Sequence, residues 1–243
     1  MVESEVSKRG RERIKSQLFQ PKKVIDYIKK NGTHIQVKKD EYIYHSGDKT
    51  DSIYLLESGE VFVFRVQDEG AELVTHFLNE NSIFGAVTLF YGPKYYNTFA
   101  QAKIACDLYR IDKTLFENMI YQHPEFTKEW MTWVDIERSR HSTKLRDLFM
   151  FGKKGALASV LIRLSNSFGV KVKAGILIDT KLTNQELAML IGTSREVVNR
   201  HLKILKNDGV ITIDQKKITI TNLSQLKSIN NCENCDINIC QIY

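Results

Sequence analysis

The amino-acid sequence predicts an α+β chain built of three successive parts: a β sandwich or barrel, a long helix, and a winged helix-turn-helix. Three observations carry this reading. Short apolar runs separated by Gly- and Asp-containing turns fill the stretch from Gly32 to Asp112. After His123-Pro124, neither Gly nor Pro interrupts the chain as far as Phe151. Beyond Gly152, helix-start and helix-stop signals alternate at short range and lead into a hairpin pattern.

Taken in order, the expected strands are Thr33–Val37, Glu41–Tyr44, Ser52–Leu56, Val61–Val66, Glu72–Leu78 and Ala105–Ile111. Ser46-Gly47-Asp48, Ser58-Gly59 and Asp68-Glu69-Gly70 supply the turns between them. In the long helix, Phe126, Trp130, Trp133, Val134, Leu145 and Leu148 fall on an apolar face that the polar stretch 137–144 interrupts. A helix near 25 residues would be about 38 Å long. That exceeds what packing on the β unit requires and leaves length for pairing with a second copy. Gly152-Lys153-Lys154-Gly155 reads as a hinge, followed by a helix from Ala156 to Phe168 with Gly169 as its C-cap. Ile176–Asp179 reads as a short strand. Thr183-Asn184-Gln185-Glu186 matches a capping box and opens a helix to about Ile191. Gly192-Thr193-Ser194 makes a turn, Arg195–Asn207 a second helix, and Val210–Ile213 with Lys217–Ile220 a hairpin. The expected divisions are 1–122, 123–151, 152–225 and a cysteine-containing tail, 226–243.

Composition narrows the function class. The chain has 243 residues, 42% hydrophobic and 26% charged, with 4 Cys, the balance of a globular protein rather than a disordered or membrane-spanning one. The polar segment Met1–Gln20 does not read as a secretory signal, so a cytoplasmic location is expected. Residues 1–151 hold 22 Lys/Arg and 22 Asp/Glu, whereas residues 152–243 hold 13 and 7. All of the net charge of +6 therefore lies in the last part of the chain, as in a polyanion-binding module joined to a neutral one.

The helix beginning at Arg195 is the expected reader of double-stranded DNA. Arg195, Glu196, Asn199 and Arg200 fall near one face. Arg matches guanine O6/N7 and Glu accepts from cytosine N4. Thr193 and Ser194 stand where amides and hydroxyls can meet phosphate. Leu202, Ile204 and Leu205 supply the side that packs inward. The second chemistry-bearing pattern is Cys232-x2-Cys235-x4-Cys240, three thiols within nine residues. Thiolates suit iron–sulfur clusters and soft metals. Three thiols leave one ligand to be found elsewhere, and a zinc site completed by His141 or His201, or a thiol redox switch, stay open on these residues alone. Cys106, inside a strand pattern, reads as buried structure, and Asp147 reads locally as an ordinary exposed carboxylate. No Gly-x-Gly-x-x-Gly fingerprint of a redox enzyme is present, and no enzyme is expected.

With these residues in view, the chain resembles the CRP/FNR family of bacterial transcription regulators over essentially its whole length. The resemblance implies a cyclic-nucleotide-binding-type β jelly roll, a dimerisation helix that makes a homodimer, and RNA polymerase as a partner. Ser194-Arg195-Glu196-x3-Arg200 is similar to the family's Ser-Arg-Glu-x3-Arg element, which implies a TGTGA-like half-site. Cyclic-nucleotide members carry Gly-Glu and then Arg-Ser/Thr around the phosphate. Here Gly85 is followed by Ala86, and Tyr95-Tyr96-Asn97-Thr98-Phe99-Ala100 contains no Arg, so cAMP is not an expected ligand. The tail, with Leu145-Arg146-Asp147-Leu148, Gly152-Lys153-Lys154-Gly155-Ala156-Leu157 and Leu161-Ile162-Arg163-Leu164-Ser165-Asn166, is most similar to the Fnr anaerobic regulators of bacilli. That resemblance implies an oxygen-responsive [4Fe–4S] cluster on Cys232, Cys235 and Cys240, with Asp147 as fourth ligand. The other implied possibility is a regulator of this type that answers to a non-nucleotide effector in its jelly roll.

Overall fold

A computed structural model describes residues 18–67 and 70–242. The chain forms two compact units, one from residue 19 to residue 138 and one from residue 139 to residue 242. Most of Met1–Gln20, and Asp68-Glu69 of one expected turn, lie outside the described residues.

The first unit opens with α1 (Lys22–Asn31), followed by β1 (Thr33–Val37), β2 (Tyr42–Tyr44), β3 (Ser52–Ser58), β4 (Val61–Val66), β5 (Glu72–Leu78), β6 (Ile83–Gly85), β7 (Phe99–Ala102), β8 (Cys106–Asp112) and α2 (Lys113–Gln122). The strands make two antiparallel four-stranded sheets, in the orders β1-β8-β3-β6 and β2-β7-β4-β5. This is the jelly-roll arrangement. The six expected strands are present, and β6 and β7 add to them. The helix α1, not expected, exists because Val24, Ile25 and Ile28 fall on one face and meet Ile53, Ile111, Phe116 and Trp130 in the core. Glu129 Oε2 accepts its free amides from Lys23 (2.9 Å) and Val24 (3.4 Å). Asp112 caps α2 by accepting from the Leu115 amide at 2.9 Å.

Helix α3 runs from Pro124 to Met150, 27 residues or about 40 Å. Phe126, Trp130, Trp133 and Val134 of its expected apolar face pack on the jelly roll core. Met131, Leu145, Phe149 and Met150 remain exposed.

The second unit continues from the end of α3 with α4 (Gly152–Phe168), β9 (Gly169–Val172), β10 (Gly175–Ile178), α5 (Asn184–Ile191), α6 (Arg195–Asn207), β11 (Ile211–Asp214), β12 (Lys217–Ile220) and α7 (Leu223–Ile229). Two expectations are corrected here. Gly152–Gly155 is not a four-residue hinge but the first turn of α4; the break is confined to Phe151 and Gly152, whose φ is +61°. Gly155 serves close packing: a Cβ there would lie 2.3 Å from Phe151 Cβ. Gly169 is the C-cap of α4, as expected, but in extended and not left-handed backbone, and it begins β9. The wing is a four-stranded sheet, β11-β12-β10-β9, and not a lone hairpin. Its tip residues Gln215 and Lys216 both have positive φ, the primed-turn geometry that matches strand twist. From Gly155 to Ser165 every residue of α4 is buried, as in a helix surrounded on all sides.

Candidate functional site

The DNA-reading pattern forms as two helices and a turn. Glu186 N donates to Thr183 Oγ1 at 3.1 Å and Thr183 N donates to Glu186 Oε2, closing the capping box of α5. Gly192 adopts the left-handed conformation that ends α5, with φ +59°. Lys153 Nζ donates to the carbonyl of Gly192 at 2.9 Å, so α4 also braces this turn. Val198, Leu202 and Leu205 of α6 are buried, four and three residues apart. Ile204, expected among them, is 38% exposed. On the opposite side Ser194, Arg195, Glu196, Asn199 and Arg200 are all exposed, and Thr193 is half-buried in the turn. Hydrogen bonds from its own backbone N–H and from Ser194 hold the Glu196 carboxyl below its ordinary range. Asn184, at the start of α5, donates its side-chain amide to Asn199 Oδ1.

The cysteine tail packs on the same unit. Cys232 and Cys235 lie in irregular chain, and a single turn closes from Asp236 to Cys240 (Cys240 N to Asp236 O, 3.0 Å). Gln241 and Ile242 are buried. Arg140 Nε donates to Asn238 O at 2.6 Å, Arg163 Nη1 to Ile239 O at 3.2 Å and Gln241 O at 3.3 Å, and Asn166 Nδ2 to Cys240 O at 2.8 Å. Ser167 Oγ donates to Gln241 Oε1 (2.7 Å) and accepts from the Ile242 amide (3.1 Å). Arg146 pairs with Glu233.

Asp147 is not the exposed carboxylate that its local sequence suggests; it is 3% exposed. Its Oδ1 accepts from Arg146 Nε (3.0 Å) and Nη2 (2.6 Å), and its Oδ2 from Ser159 Oγ (2.5 Å) and Arg163 Nη2 (2.8 Å). Those four bonds occupy the roughly four acceptor positions of a carboxylate. Burial pushes this carboxyl up, but the hydrogen bonds from Arg163, Ser159 and Arg146 outweigh it and hold the group below the ordinary range. Burial pushes the Cys240 thiol up; Arg163 opposes, and the charges of Cys232, Cys235 and Asp147 add to the rise. Arg163 links Asp147 to the tail, since it binds that carboxylate and the carbonyls on either side of Cys240. Among the described residues no three His, Cys, Asp or Glu side chains converge on a single metal ion. The donor chemistry of the three thiols fits a cluster, which spans more space than one ion. Asp147 fits as a fourth ligand only by giving up one of its present partners. Sequence reasoning missed Arg140, Ser159 and Arg163 here. The available signal was a charged residue inside the apolar run Leu161-Ile162-Arg163-Leu164, which burial permits only with a partner.

In the jelly roll, Ala86 is buried and its amide donates to Ser52 O at 2.9 Å. Tyr44 and Tyr96 stack with ring centroids 3.9 Å apart, beside Tyr54 and Phe84 at 5.3 Å from each other. The Tyr96 hydroxyl donates to Ser52 O at 2.9 Å. Burial pushes Tyr44 up to about 12. Four aromatic rings thus occupy this interior. Cys106 is buried as expected, its Sγ 3.1 Å from Ile104 O, and burial raises its thiol to about 11.

Comparison with known proteins agrees with this geometry. The cyclic nucleotide-binding domain family matches residues 34–123 and the Crp-like helix-turn-helix domain family matches residues 155–229. The anaerobic regulatory protein of Bacillus subtilis (strain 168) is 36% identical over 211 residues, which span 86% of this chain and 89% of that protein. The chain belongs to the CRP/FNR family. Like its relatives, this CRP/FNR regulator is a DNA-binding transcription regulator. The cAMP-activated global transcriptional regulator CRP of Salmonella typhimurium is 27% identical over 73% of this chain and 84% of its own. The solved structure of FixK2 from Bradyrhizobium japonicum superposes with a TM-score of 0.72 at 16% identity, covering 82% of this chain and 97% of that one, and shows the shared fold. Among the described residues no helix is long and apolar enough to cross a membrane.

Proposed function

We propose that this CRP/FNR regulator is an oxygen-responsive one that controls anaerobic gene expression. It binds TGTGA-like palindromic sites as a homodimer when a [4Fe–4S] cluster on its tail is intact. The observation that carries the reading is that the three-cysteine tail packs on the unit that bears α6, where Arg163 binds both Asp147 and the carbonyls on either side of Cys240. The name of the Bacillus subtilis relative supports the anaerobic role.

Cys232, Cys235 and Cys240 would hold the cluster, with Asp147 as fourth ligand after release of one of its four bonds. When bound, the cluster supplies a group that oxygen destroys. The chain's own residues do the rest. Arg195 and Arg200 offer paired donors to guanine, Glu196 accepts from cytosine, and Thr193, Ser194 and Asn199 meet phosphate or base edges. The exposed Leu145, Phe149 and Met150 supply apolar surface for the second copy, so that two recognition helices reach half-sites about 34–36 Å apart. RNA polymerase is the partner that such a regulator serves. The aromatic filling at Tyr44, Tyr54, Phe84 and Tyr96, and the missing carboxylate at Ala86, argue against cAMP as its effector.

The test is anaerobic purification of the full chain, followed by iron and sulfide analysis and DNA binding before and after exposure to air. Four irons and four sulfides per chain, with DNA binding lost in air, are the expected result. Iron-free protein that binds DNA identically under both conditions overturns it.

A further inference from the structure

Arg163 sits on α4 between apolar neighbours and is 2% exposed. A guanidinium buried to that degree persists only when its donors are matched by partners. Its five N–H donors form a planar fork, and the fork is shared between two parts of the chain. Nη2 donates to Asp147 on α3 at 2.8 Å, and Nε to Ser159 on α4 itself at 3.2 Å. Nη1 turns the other way, to the carbonyls of Ile239 and Gln241. Asn166, three residues on along α4, binds the carbonyl between them, that of Cys240. Three consecutive carbonyls centred on one cysteine are thus held by two side chains of α4.

We infer that Arg163, seconded by Asn166, positions the cysteine site: one arm of the guanidinium holds Asp147, the other holds the carbonyls on either side of Cys240, and Asn166 holds that of Cys240 itself, which brings thiol and carboxylate to one place. This inference deepens the proposed cluster site and rests on it for its purpose, but the docking of the tail is independent of any metal. The carboxylate supplies the counter-charge that lets the guanidinium be buried, and the buried guanidinium in turn supplies donors to the tail. Lysine cannot substitute, because a single ammonium has three donors at one point and no planar fork. Other anchors hold the tail as well: Ser167 of α4 binds the Gln241 side chain and the Ile242 amide, and from α3 Arg140 binds Asn238 O and Arg146 binds Glu233. The two from α3 meet Asn238 and Glu233, in the segment before Cys240.

The experiment uses the full chain and has two readouts. The first is thiol labelling by a maleimide under chelator, resolved by mass spectrometry into Cys240 and Cys106, with amide exchange of residues 239–242 measured alongside. In R163K and R163Q, Cys240 should label about tenfold faster than in the parent, the factor that loss of one charge-assisted hydrogen bond corresponds to. Cys106, buried in the other unit, should keep its parent rate and thereby reports that the chain is folded. The second readout is iron and sulfide content after anaerobic reconstitution, which should fall in both variants. Parent-like labelling and exchange at Cys240 in R163K overturns the inference. Should both variants label Cys106 faster as well, N166A decides: it removes only the donor to the Cys240 carbonyl, and unchanged exchange of residues 239–242 overturns the inference there. A parent protein that takes up no iron or sulfide, while R163K still exposes Cys240, refutes the cluster reading and leaves the positioning role standing.

Discussion

Replacing Asp147 by alanine separates what this carboxylate does for the protein from what it does for a metal. The side chain is 3% exposed and receives four hydrogen bonds from Arg146, Ser159 and Arg163. Removing one partner of a buried ion pair costs about 3–5 kcal/mol, because the other charge is left in a medium that solvates it poorly. Arg163 would keep Ser159 and two carbonyls, and Arg146 would keep Glu233 and is itself partly exposed. The lower end, about 3 kcal/mol, is therefore expected. For a unit of roughly 100 residues, each kcal/mol shifts the melting temperature by about 4–8 °C, so the loss should be of order 12 °C or more. The assay is urea and thermal unfolding of chelator-treated protein, followed by circular dichroism and by tryptophan fluorescence. Trp130 lies in the jelly-roll core, so the fluorescence transition should stay in place while the dichroism transition moves. Removing both charges in D147A/R163M should recover most of the loss, since a buried pair exchanged for apolar groups is often near neutral. A D147A protein within about 0.5 kcal/mol of the parent, the scatter of an unremarkable surface change, would refute the reasoning and leave Asp147 with no structural role.

The other expectations concern recognition and sensing. R200A should lose about 1–3 kcal/mol at its guanine and relax selection there, whereas equal loss on matched and scrambled half-sites in a competition assay would remove Arg200 from base reading. T183A should destabilise the recognition unit by about 1 kcal/mol through loss of the capping bond to Glu186 N, read as a shift in the dichroism midpoint. Calorimetry should detect no cAMP binding, and stoichiometric micromolar binding would contradict the reading of Ala86 and the aromatic interior. C232S, C235S and C240S should each abolish cluster content and air-sensitive DNA binding, while C106S leaves both nearly intact; iron and sulfide analysis of each variant checks this, and full regulation without the tail thiols would end the cluster proposal.

The strands of the jelly roll were legible because their information is local. Thr33–Val37, Val61–Val66 and Glu72–Leu78 carry β-branched and aromatic residues between turn-formers, and each is a strand over that range. The same holds for α5 and α6, whose start and stop are written as Thr183, Glu186, Gly192 and Asp208-Gly209. The elements missed lack such punctuation. In α1 only Val24, Ile25, Tyr27 and Ile28 interrupt a run of polar residues, and Pro21 supplies no capping side chain. α7 has seven residues, too few for a period to show. Gly152 and Gly155 misled for a physical reason: glycine marks both flexibility and close approach, and only the Phe151 contact tells which applies.

Asp147 shows where a local reading stops. Its neighbours in sequence are those of a solvated helix face, and its partners Ser159 and Arg163 come from a different helix, 12 and 16 residues away. The same fact qualifies the charge asymmetry that first pointed to a polyanion. Of the basic residues beyond Gly152, Arg163 spends its charge on Asp147, Lys217 pairs with Asp179, Lys153 binds the Gly192 carbonyl and Lys227 binds Asn234. The net charge of +6 is correct as a sum, yet the cations that α6 leaves exposed on the surface proposed to meet DNA include Arg195, Arg200 and Lys203. Each phosphate neutralised by a protein cation contributes about −0.9 to the slope of log affinity against log salt. A slope smaller than the count of basic residues in this unit therefore follows from the fold, because part of that charge holds the cysteine tail and the helix-turn-helix in place rather than facing the duplex.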